Sequence, residues 1–388
     1  MLEKRFAIIV LLVISVIIYG SLYPFAFHWR DDAGGPISWL LASWSERPGK
    51  ADFLANILLY VPLGFFAVHA LTPHANKAVR LCIAVALGTG LSIAMELTQY
   101  FDFGRDSAAT DVYANFLGTI LGAMVATFAR LQLRSLGANS ARNHEAPLLL
   151  LAAWAADRLY PFVPVIDLHK YWAAIKPVFL FSHLDKIEIF RHAAIWSTVF
   201  VLVDEVAEGK RSIILFLAFA FLLVIGQVFV IDQTLSLPEL IGITIALIWA
   251  LGTTPCPRTR SFTVLIWLAT YLLVERLEPL TFSVHGRQFE WVPFLGFLRG
   301  SISVDVLSFL EKSFFYGALI WLMTKIGMRT WVAAPIVGGS LFLTSVAQLY
   351  LPGRSAEITD TLLALAAGAI ISLLDGHNVR TGAREYER

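Results

Sequence analysis

A polar stretch interrupts an otherwise apolar chain between Glu96 and Asp111, where the sequence reads ELTQYFDFGRDSAATD. Glu96 and Gln99 are three residues apart and would share one face of a helix. Asp111 and Asn115 are four residues apart and would share a face of the following helix. Together with the guanidinium group of Arg105, these carboxylates and amides could bind a polar ligand, or a carboxyl group could act in acid–base catalysis.

Three more polar residues belong with this stretch. Asp52 and Asn56 are four residues apart where an earlier apolar run begins, and Asp106 follows Arg105 in the turn. If the helix ends meet, we predict one binding pocket and no catalytic residue. Its predicted lining is Asp52, Asn56, Glu96, Gln99, Arg105, Asp106, Asp111 and Asn115. The sequence contains no metal-ligand spacing, so we predict neither a metal nor a cofactor.

The same residues also have structural explanations, which the sequence leaves open. A charged side chain inside a membrane span is costly unless it is paired, so Glu96 could pair with Arg105 and only connect the two helices. Asp111 could be an acid in the first turn of a helix, with Thr110 or Ser107 as the cap.

The composition identifies the class of protein. Of the 388 residues, 57% are hydrophobic and 15% are charged, whereas soluble domains carry roughly 25% charged residues. Apolar runs of about 20 residues, the length needed to cross a bilayer, recur along the chain. We therefore predict an all-α polytopic membrane protein with about twelve transmembrane helices. The predicted spans are 6–23, 53–71, 79–99, 110–130, 147–163, 187–203, 212–231, 236–252, 262–279, 306–324, 331–350 and 358–374.

The distribution of lysine and arginine orients these spans. Basic residues concentrate in every second connection and at both ends of the chain, and cytoplasmic loops carry such an excess. We predict a multi-pass protein of the inner (cytoplasmic) membrane with cytoplasmic N- and C-termini, so the polar stretch would face outward. The net charge of +1 gives no reason to expect a nucleic-acid partner.

Three signals recur in the same order along the chain. An apolar run ends in SLYPF, RLYPF or RLEPL; an aromatic segment follows, containing PISWLLASW, YWAAIKPVFLF or FEWVPFLGFLRG; and a glutamine is followed twelve residues later by an acid. The glutamine–acid pairs are Gln99 and Asp111, Gln227 and Glu239, and Gln348 and Asp360. The aromatic segments are typical of short interfacial helices, here on the outer face.

This order predicts three four-helix repeats. Their predicted bounds are 1–135, 145–255 and 260–376, followed by a cytoplasmic tail, 377–388. The copies have diverged: Asn56, His192 and Lys312 align with one another, and the first copy keeps the densest polar set.

The first copy also resembles a known family. The segments DFLANILLYVPLGFF and AMELTQYFDFGRDSAATDVYANFLGTILG are similar to the VanZ-like family over residues 15–130, and residues 262–374 resemble it more loosely. The family pattern falls here on Asp52, Asn56, Pro62, Gly64, Glu96, Gln99, Gly104, Arg105, Asp111 and Asn115. The resemblance implies a cell-envelope membrane protein, linked in some members to teicoplanin or other glycopeptide antibiotic resistance. It implies no reaction.

We therefore expect a non-enzymatic protein that binds a membrane lipid, a lipid-linked glycan or a glycopeptide at an outer-leaflet polar pocket. Proteins of envelope assembly are further expected partners. One alternative is a transporter or flippase of an envelope lipid or glycan, since internal repeats are common in transporters. A second is a membrane-embedded enzyme on a lipid-linked substrate, with Glu96 or Asp111 as the acid–base group.

Overall fold

The protein is built of α-helices in the part of the chain that the structure describes. This structure, a computed structural model, describes residues 4–30, 34–45, 49–71, 76–102, 105, 107–135, 144–179, 185–209, 211–253, 256–296 and 302–375. These residues form fourteen α-helices, one short 3-10 helix and three isolated bridges, but no strand. The predicted all-α fold class is therefore confirmed for them.

The helices follow one another along the chain with short connections. They are α1 Lys4–Leu22, α2 Gly35–Ala42, α3 Lys50–Ala70, α4 Lys77–Gln99, α5 Ala109–Ser135, α6 Glu145–Leu159, α7 Leu168–Phe179, α8 Lys186–Val206, α9 Ser212–Phe229, α10 Leu237–Gly252, α11 Pro257–Leu277, α12 Ile302–Lys325, α13 Thr330–Gln348 and α14 Thr359–Asp375. Each predicted span coincides with one of them. α2 and α7 coincide with the first two predicted interfacial segments, and the end of the third lies outside the described residues.

Seven of the described helices are long and apolar enough to cross a membrane, namely α1, α3, α4, α5, α9, α12 and α13. The helices at the other five predicted spans do not meet these criteria of length and composition, for two reasons. α6, α10 and α14 have only 15, 16 and 17 residues, fewer than the roughly 18 that mark a membrane-spanning helix. α8 and α11 are long enough, but they carry charged residues near both ends. The chain is thus of membrane-protein type.

The chain divides into two compact units. The first comprises residues 1–141 and 297–306, and the second residues 142–296 and 307–388. In the first unit, α3, α4 and α5 pack on one another, and α1 packs on α3 and α4. In the second unit, α8 packs on α6, α9, α10 and α11, while α13 packs on α11 and α14.

Three connections share one backbone geometry. They follow α1, α6 and α11, and each passes through a proline: Pro24, Pro161 and Pro279. The residue after each proline has a φ near +60° and donates its N–H to the carbonyl of the residue two before the proline, at 2.7–2.8 Å. Because the geometry is the same each time, the three helices end in the same way.

A second backbone contact ties each of these connections to a later helix. The N–H of His28 donates to Phe101 O at 2.7 Å, Val165 to Phe229 O at 2.9 Å, and Ser283 to Tyr350 O at 2.7 Å. Each donor lies four residues after its proline, and each acceptor two residues after one of the glutamines Gln99, Gln227 and Gln348. The prolines and glutamines that recur in the sequence therefore mark the two sides of one contact.

Candidate functional site

The guanidinium group of Arg105 bonds to the end of α1. Its Nε donates to Tyr23 O at 3.1 Å and its Nη2 to Gly20 O at 2.8 Å. These carbonyls are left without partners inside the helix because they lie in its last turn or just beyond it. Arg105 thus holds the α4–α5 connection against the end of α1, and both of these bonds go to backbone carbonyl groups.

The second unit contains the same tie twice. Arg354 donates from Nε to Glu278 O at 2.9 Å and from Nη2 to Glu275 O at 2.6 Å. Gln233 donates from Nε2 to Tyr160 O at 2.6 Å. Arg105, Arg354 and Gln233 each lie six residues after the recurring glutamine, and each bonds to the residue that precedes the proline.

The polar side chains of α3, α4 and α5 meet where α3 and α5 begin and α4 ends. Asn56 hydrogen-bonds to the carboxylate of Asp111, and Glu96 lies within electrostatic range of it. Glu96 is only 3% exposed, and its Oε2 accepts the N–H of Ala108 at 2.8 Å, just before α5 starts. We call Asn56, Glu96 and Asp111 the upper layer.

One helical turn deeper lies a second layer with one residue from each of the same helices. Asn115 donates from Nδ2 to Ser92 Oγ at 2.9 Å, and the hydroxyl of Tyr60 faces Ser92. Each member is four residues from its upper-layer neighbour on the same helix, so the two layers stack directly. The upper layer and this lower layer together are called the polar cluster below.

A third layer closes the polar cluster on its deep side. It consists of Gly64, Gly88 and Thr119, again four residues further along each helix. A Cβ atom on Gly64 would lie 2.0 Å from Thr119 O, and one on Gly88 would lie 2.3 Å from Thr119 Oγ1. There is no room for a side chain at either glycine, so the three helices touch here. We call this layer the floor.

The remaining predicted site residues lie around the polar cluster. Asp52 is exposed in the first turn of α3, and its charge acts on Asp111. Gln99 is buried and donates from Nε2 to Ser21 O at 2.9 Å. Asp106 lies outside the described residues. The structure therefore brings Asn56, Glu96, Asp111 and Asn115 together, places Asp52 at the rim, and engages Gln99 and Arg105 with the end of α1.

The same contacts bear on the open structural alternatives, and Asp111 lies in the first turn of α5, as one of them predicts. Arg105 and Glu96 form no ion pair among the described residues. At the start of α5, the N–H of Ala109 donates to Ser43 Oγ at 2.9 Å, as that of Ala108 does to Glu96. Glu96 therefore has a capping role as well as its place in the polar cluster.

The recurring acids of the second unit are paired with cations. Glu239 accepts from Arg158 at 2.6 Å, and Asp360 accepts from Arg276 at 2.5 Å and lies 2.8 Å from Lys312 Nζ. Arg158 and Arg276 both lie three residues before the proline of their connection. The guanidinium group of each arginine therefore pairs with an acid on another helix.

Residues that sequence reasoning missed complete this picture. In the first unit, Ser21 stands at the position of Arg158 and Arg276, and its carbonyl accepts from Gln99 as that of Arg276 accepts from Gln348 at 2.9 Å. A comparison of the residues three positions before each proline could have shown that the first unit has serine where the second unit has arginine. The four-residue spacing from Glu96 could likewise have identified Ser92.

An aromatic surface lies beside the tie between His28 and Phe101. A cavity of about 330 Å³ is lined by Phe27, His28, Trp29, Thr98 and Phe101. The side chain of Arg30 stacks on Trp39 and Tyr100, with its central carbon 5.5 and 5.2 Å from the two ring centres. Aromatic side chains of this kind favour the boundary between membrane and water.

The described residues hold no group of three or more histidine, cysteine, aspartate or glutamate side chains able to bind a metal ion. Comparison with known proteins gives one match: residues 6–130 match the model of the VanZ/LLP1 family. No curated protein and no solved structure matches the chain.

Proposed function

Because residues 6–130 are a VanZ-like segment, we propose that this membrane protein binds the polar head of an amphiphile of the cell envelope at the polar cluster of α3, α4 and α5. The candidates are a membrane lipid, a lipid-linked glycan and a glycopeptide. The observation that carries the proposal is the pair of stacked polar layers above a closed floor. Polar groups buried among apolar helices are expensive, and in membrane proteins they mark functional positions.

The neighbouring surface supports an amphiphile rather than a small soluble ligand. The cavity lined by Trp29 and Phe101 lies at the same end of α4 as Glu96. An aromatic surface next to a polar cluster offers both an apolar and a polar contact to one molecule.

The proposal includes three four-helix repeats and twelve spans in all. It is supported by three equivalent sets of ties, each joining the connection after one helix to the end of a later one. In this arrangement, the five helices that are short or charged cross the membrane within the bundle, where their polar groups meet partners rather than lipid.

The orientation can be tested with the two native cysteines. We place Cys256 at the cytoplasmic face, exposed just before α11, where hydrogen bonds from backbone amides near Thr259 hold the pKa of its thiol below its usual range. A lowered pKa raises the thiolate fraction and the reactivity. A membrane-impermeant maleimide should therefore label Cys256 only after the cells are permeabilised. Cys82, on the apolar surface of α4, should stay unlabelled.

The matched control is His285→Cys in a Cys256→Ala background, since His285 is exposed on the opposite side in the proposed topology. It should be labelled in intact cells. Labelling of Cys256 in intact cells would reverse the orientation and place the polar cluster at the cytoplasmic face.

The binding function predicts that Glu96→Gln and Asp111→Asn abolish the phenotype of the protein. Each change replaces a carboxyl group of the upper layer by an amide of nearly the same shape. The measurement is the teicoplanin susceptibility of cells that express the full chain, with membrane levels checked by immunoblot. Expression should raise the inhibitory concentration, and both variants should return it to that of cells without the protein.

The control is Glu278→Gln, which neutralises a half-exposed carboxylate near Arg354 in the second unit. It should behave like the unaltered chain. Unchanged resistance in both upper-layer variants, at normal membrane levels, would rule out the binding site.

The floor also distinguishes binding from the alternative function, transport of a lipid or glycan. Passage of a lipid or glycan through the first unit would require α3, α4 and α5 to separate at Gly64, Gly88 and Thr119, where their atoms touch. Binding from one end requires no such movement, so binding is favoured over transport through this unit.

A further inference from the structure

The three recurring acids share one architecture but differ in the charge of their surroundings. Asp360 contacts Arg276 and Lys312, and Glu239 contacts Arg158. In the first unit the positions of Arg276 and Lys312 are taken by Ser21 and Asn56, which are both neutral. An acid is present at all three sites. In the second and third sites it pairs with at least one cation, whereas the first site has a neutral residue at both positions.

The first site instead gains a second buried carboxylate. Glu96 stands at the position of Ser345, whose hydroxyl accepts from Arg276 at 2.8 Å. The described residues provide no ion-pair partner for either Glu96 or Asp111. Asp52 adds a third negative charge at the rim. Neighbouring carboxyl groups without a cation raise the cost of ionising one another, and a bound cation would lower that cost.

Buried acceptor atoms in and beside the site also lack a donor. The side chain of Asn115 is in the lower layer and 4% exposed, and its Oδ1 has no hydrogen-bond partner among the described residues. Gln99 is 9% exposed, and its Oε1 also has no hydrogen-bond partner among the described residues. A buried acceptor without a donor is energetically costly. These acceptors are independent of the carboxylates, and they too call for a donor.

We propose that the first site takes a protonated primary amine on the head of the amphiphile, in the place that arginine and lysine side chains occupy in the second unit. This inference rests on the proposed function. An ammonium group carries three donors and one positive charge, which suits the carboxylates of Asp111 and Glu96 together with an amide oxygen. A divalent metal suits the site less, because Ca²⁺ takes six to eight oxygen ligands and the described residues offer no metal-binding group. The two sites of the second unit, already filled by their own cations, should not bind the amine.

The test is to supply the missing cation from the chain. Asn56→Lys places at the first site the residue that Lys312 provides at the third, and Ser21→Arg copies the arrangement of Arg276. Ser21→Met is the matched control, because it lengthens the side chain without a charge at a residue whose side chain lies outside the polar cluster. All three are made in the full chain and checked by size-exclusion chromatography.

Two amine probes are each compared with a neutral or differently charged match. Phosphatidylethanolamine is compared with phosphatidylglycerol in liposomes, with the retained lipid measured by native mass spectrometry. Glucosamine is compared with glucose in solution, measured by calorimetry. The unaltered chain should prefer at least one amine over its match by about tenfold, the range expected for a charged hydrogen bond. Asn56→Lys and Ser21→Arg should abolish the preference, and Ser21→Met should keep it.

The two probes identify the source of the amine, a lipid headgroup or an amino sugar. The proposal is overturned if neither amine is preferred, or if Ser21→Met and Ser21→Arg lower the preference equally. If phosphatidylglycerol is retained as well as phosphatidylethanolamine, and Glu96→Gln lowers both, the amine inference fails while the proposed binding function stands. If no probe responds to any variant, both fail.

Discussion

Replacing Asp360 by asparagine should lower the free energy of unfolding of the second unit by about 3–5 kcal/mol, as expected when one partner of a buried ion pair is removed. Arg276 and Lys312 both contact this carboxylate, and the side chains of Arg276 and Asp360 are each only 10% exposed. The substitution keeps the shape of the side chain but deprives the buried guanidinium group of Arg276 of this counter-charge. The measurement is unfolding of the purified full chain in detergent, followed by loss of the monodisperse peak on heating.

The matched variant is Asp111→Asn, the same change at the corresponding position of the first unit. There it removes one of several neighbouring carboxylates and leaves no described cation unpaired, so the midpoint should stay within a few degrees or rise. The comparison isolates the environment, because the residue types and the fold position are the same. Equal losses at Asp111 and Asp360 would contradict the different charge balance of the two sites.

Replacing Gly118 by alanine should destabilise the first unit by about 1–3 kcal/mol, the usual cost of inserting a methyl group into a well-packed core. A Cβ atom at Gly118 would lie 2.1 Å from Ile57 O, and one at Gly122 would lie 2.0 Å from Val61 O. The obstacle is the backbone of α3, which cannot rotate away as a side chain would. α3 and α5 must therefore separate.

Gly90→Ala is the control, because a Cβ atom there would meet no other atom within 4 Å. In a helix interior this change usually stabilises by about 0.5–1 kcal/mol. Thermal unfolding of the two variants in the same detergent should therefore differ in sign. If Gly118→Ala behaved like Gly90→Ala, the close approach of α3 and α5 would not contribute to stability.

Apolar run length and residue spacing were sufficient to predict the helices. All twelve predicted spans coincide with helices, because twenty apolar residues have few other ways to satisfy their backbone in a membrane. The four-residue spacings of Asp52 with Asn56 and of Asp111 with Asn115 correctly placed each pair on one helix. These are local properties, and a local pattern determines them.

Partners distant in sequence could not be predicted in this way. Arg158 and Glu239 are 81 residues apart, and Arg276 and Asp360 are 84 apart. Nothing in the local sequence connects them. Arg105 illustrates the same limit, since a guanidinium group can bond to a carboxylate or to a carbonyl, and only the position of the end of α1 decides between them.

The contact between Gln233 and Tyr160 shows why residue identity alone can hide equivalent contacts. Gln233 and Arg105 differ in charge and size, yet both donate to the carbonyl that precedes the proline. The position demands a donor of sufficient reach, and both side chains meet that demand. A sequence motif that specifies the residue type therefore misses this tie. A motif that accepts any long side chain with a hydrogen-bond donor would find it.

The contact of Gly64 and Gly88 with Thr119 has a kinetic consequence. If the proposed ligand binds above this floor, it cannot leave past the floor unless the three helices separate. Its occupancy then depends on the concentration on that side, and a concentration difference across the bilayer does not drive it through the unit. Such a site would respond to the composition of one leaflet and would transfer nothing from the other.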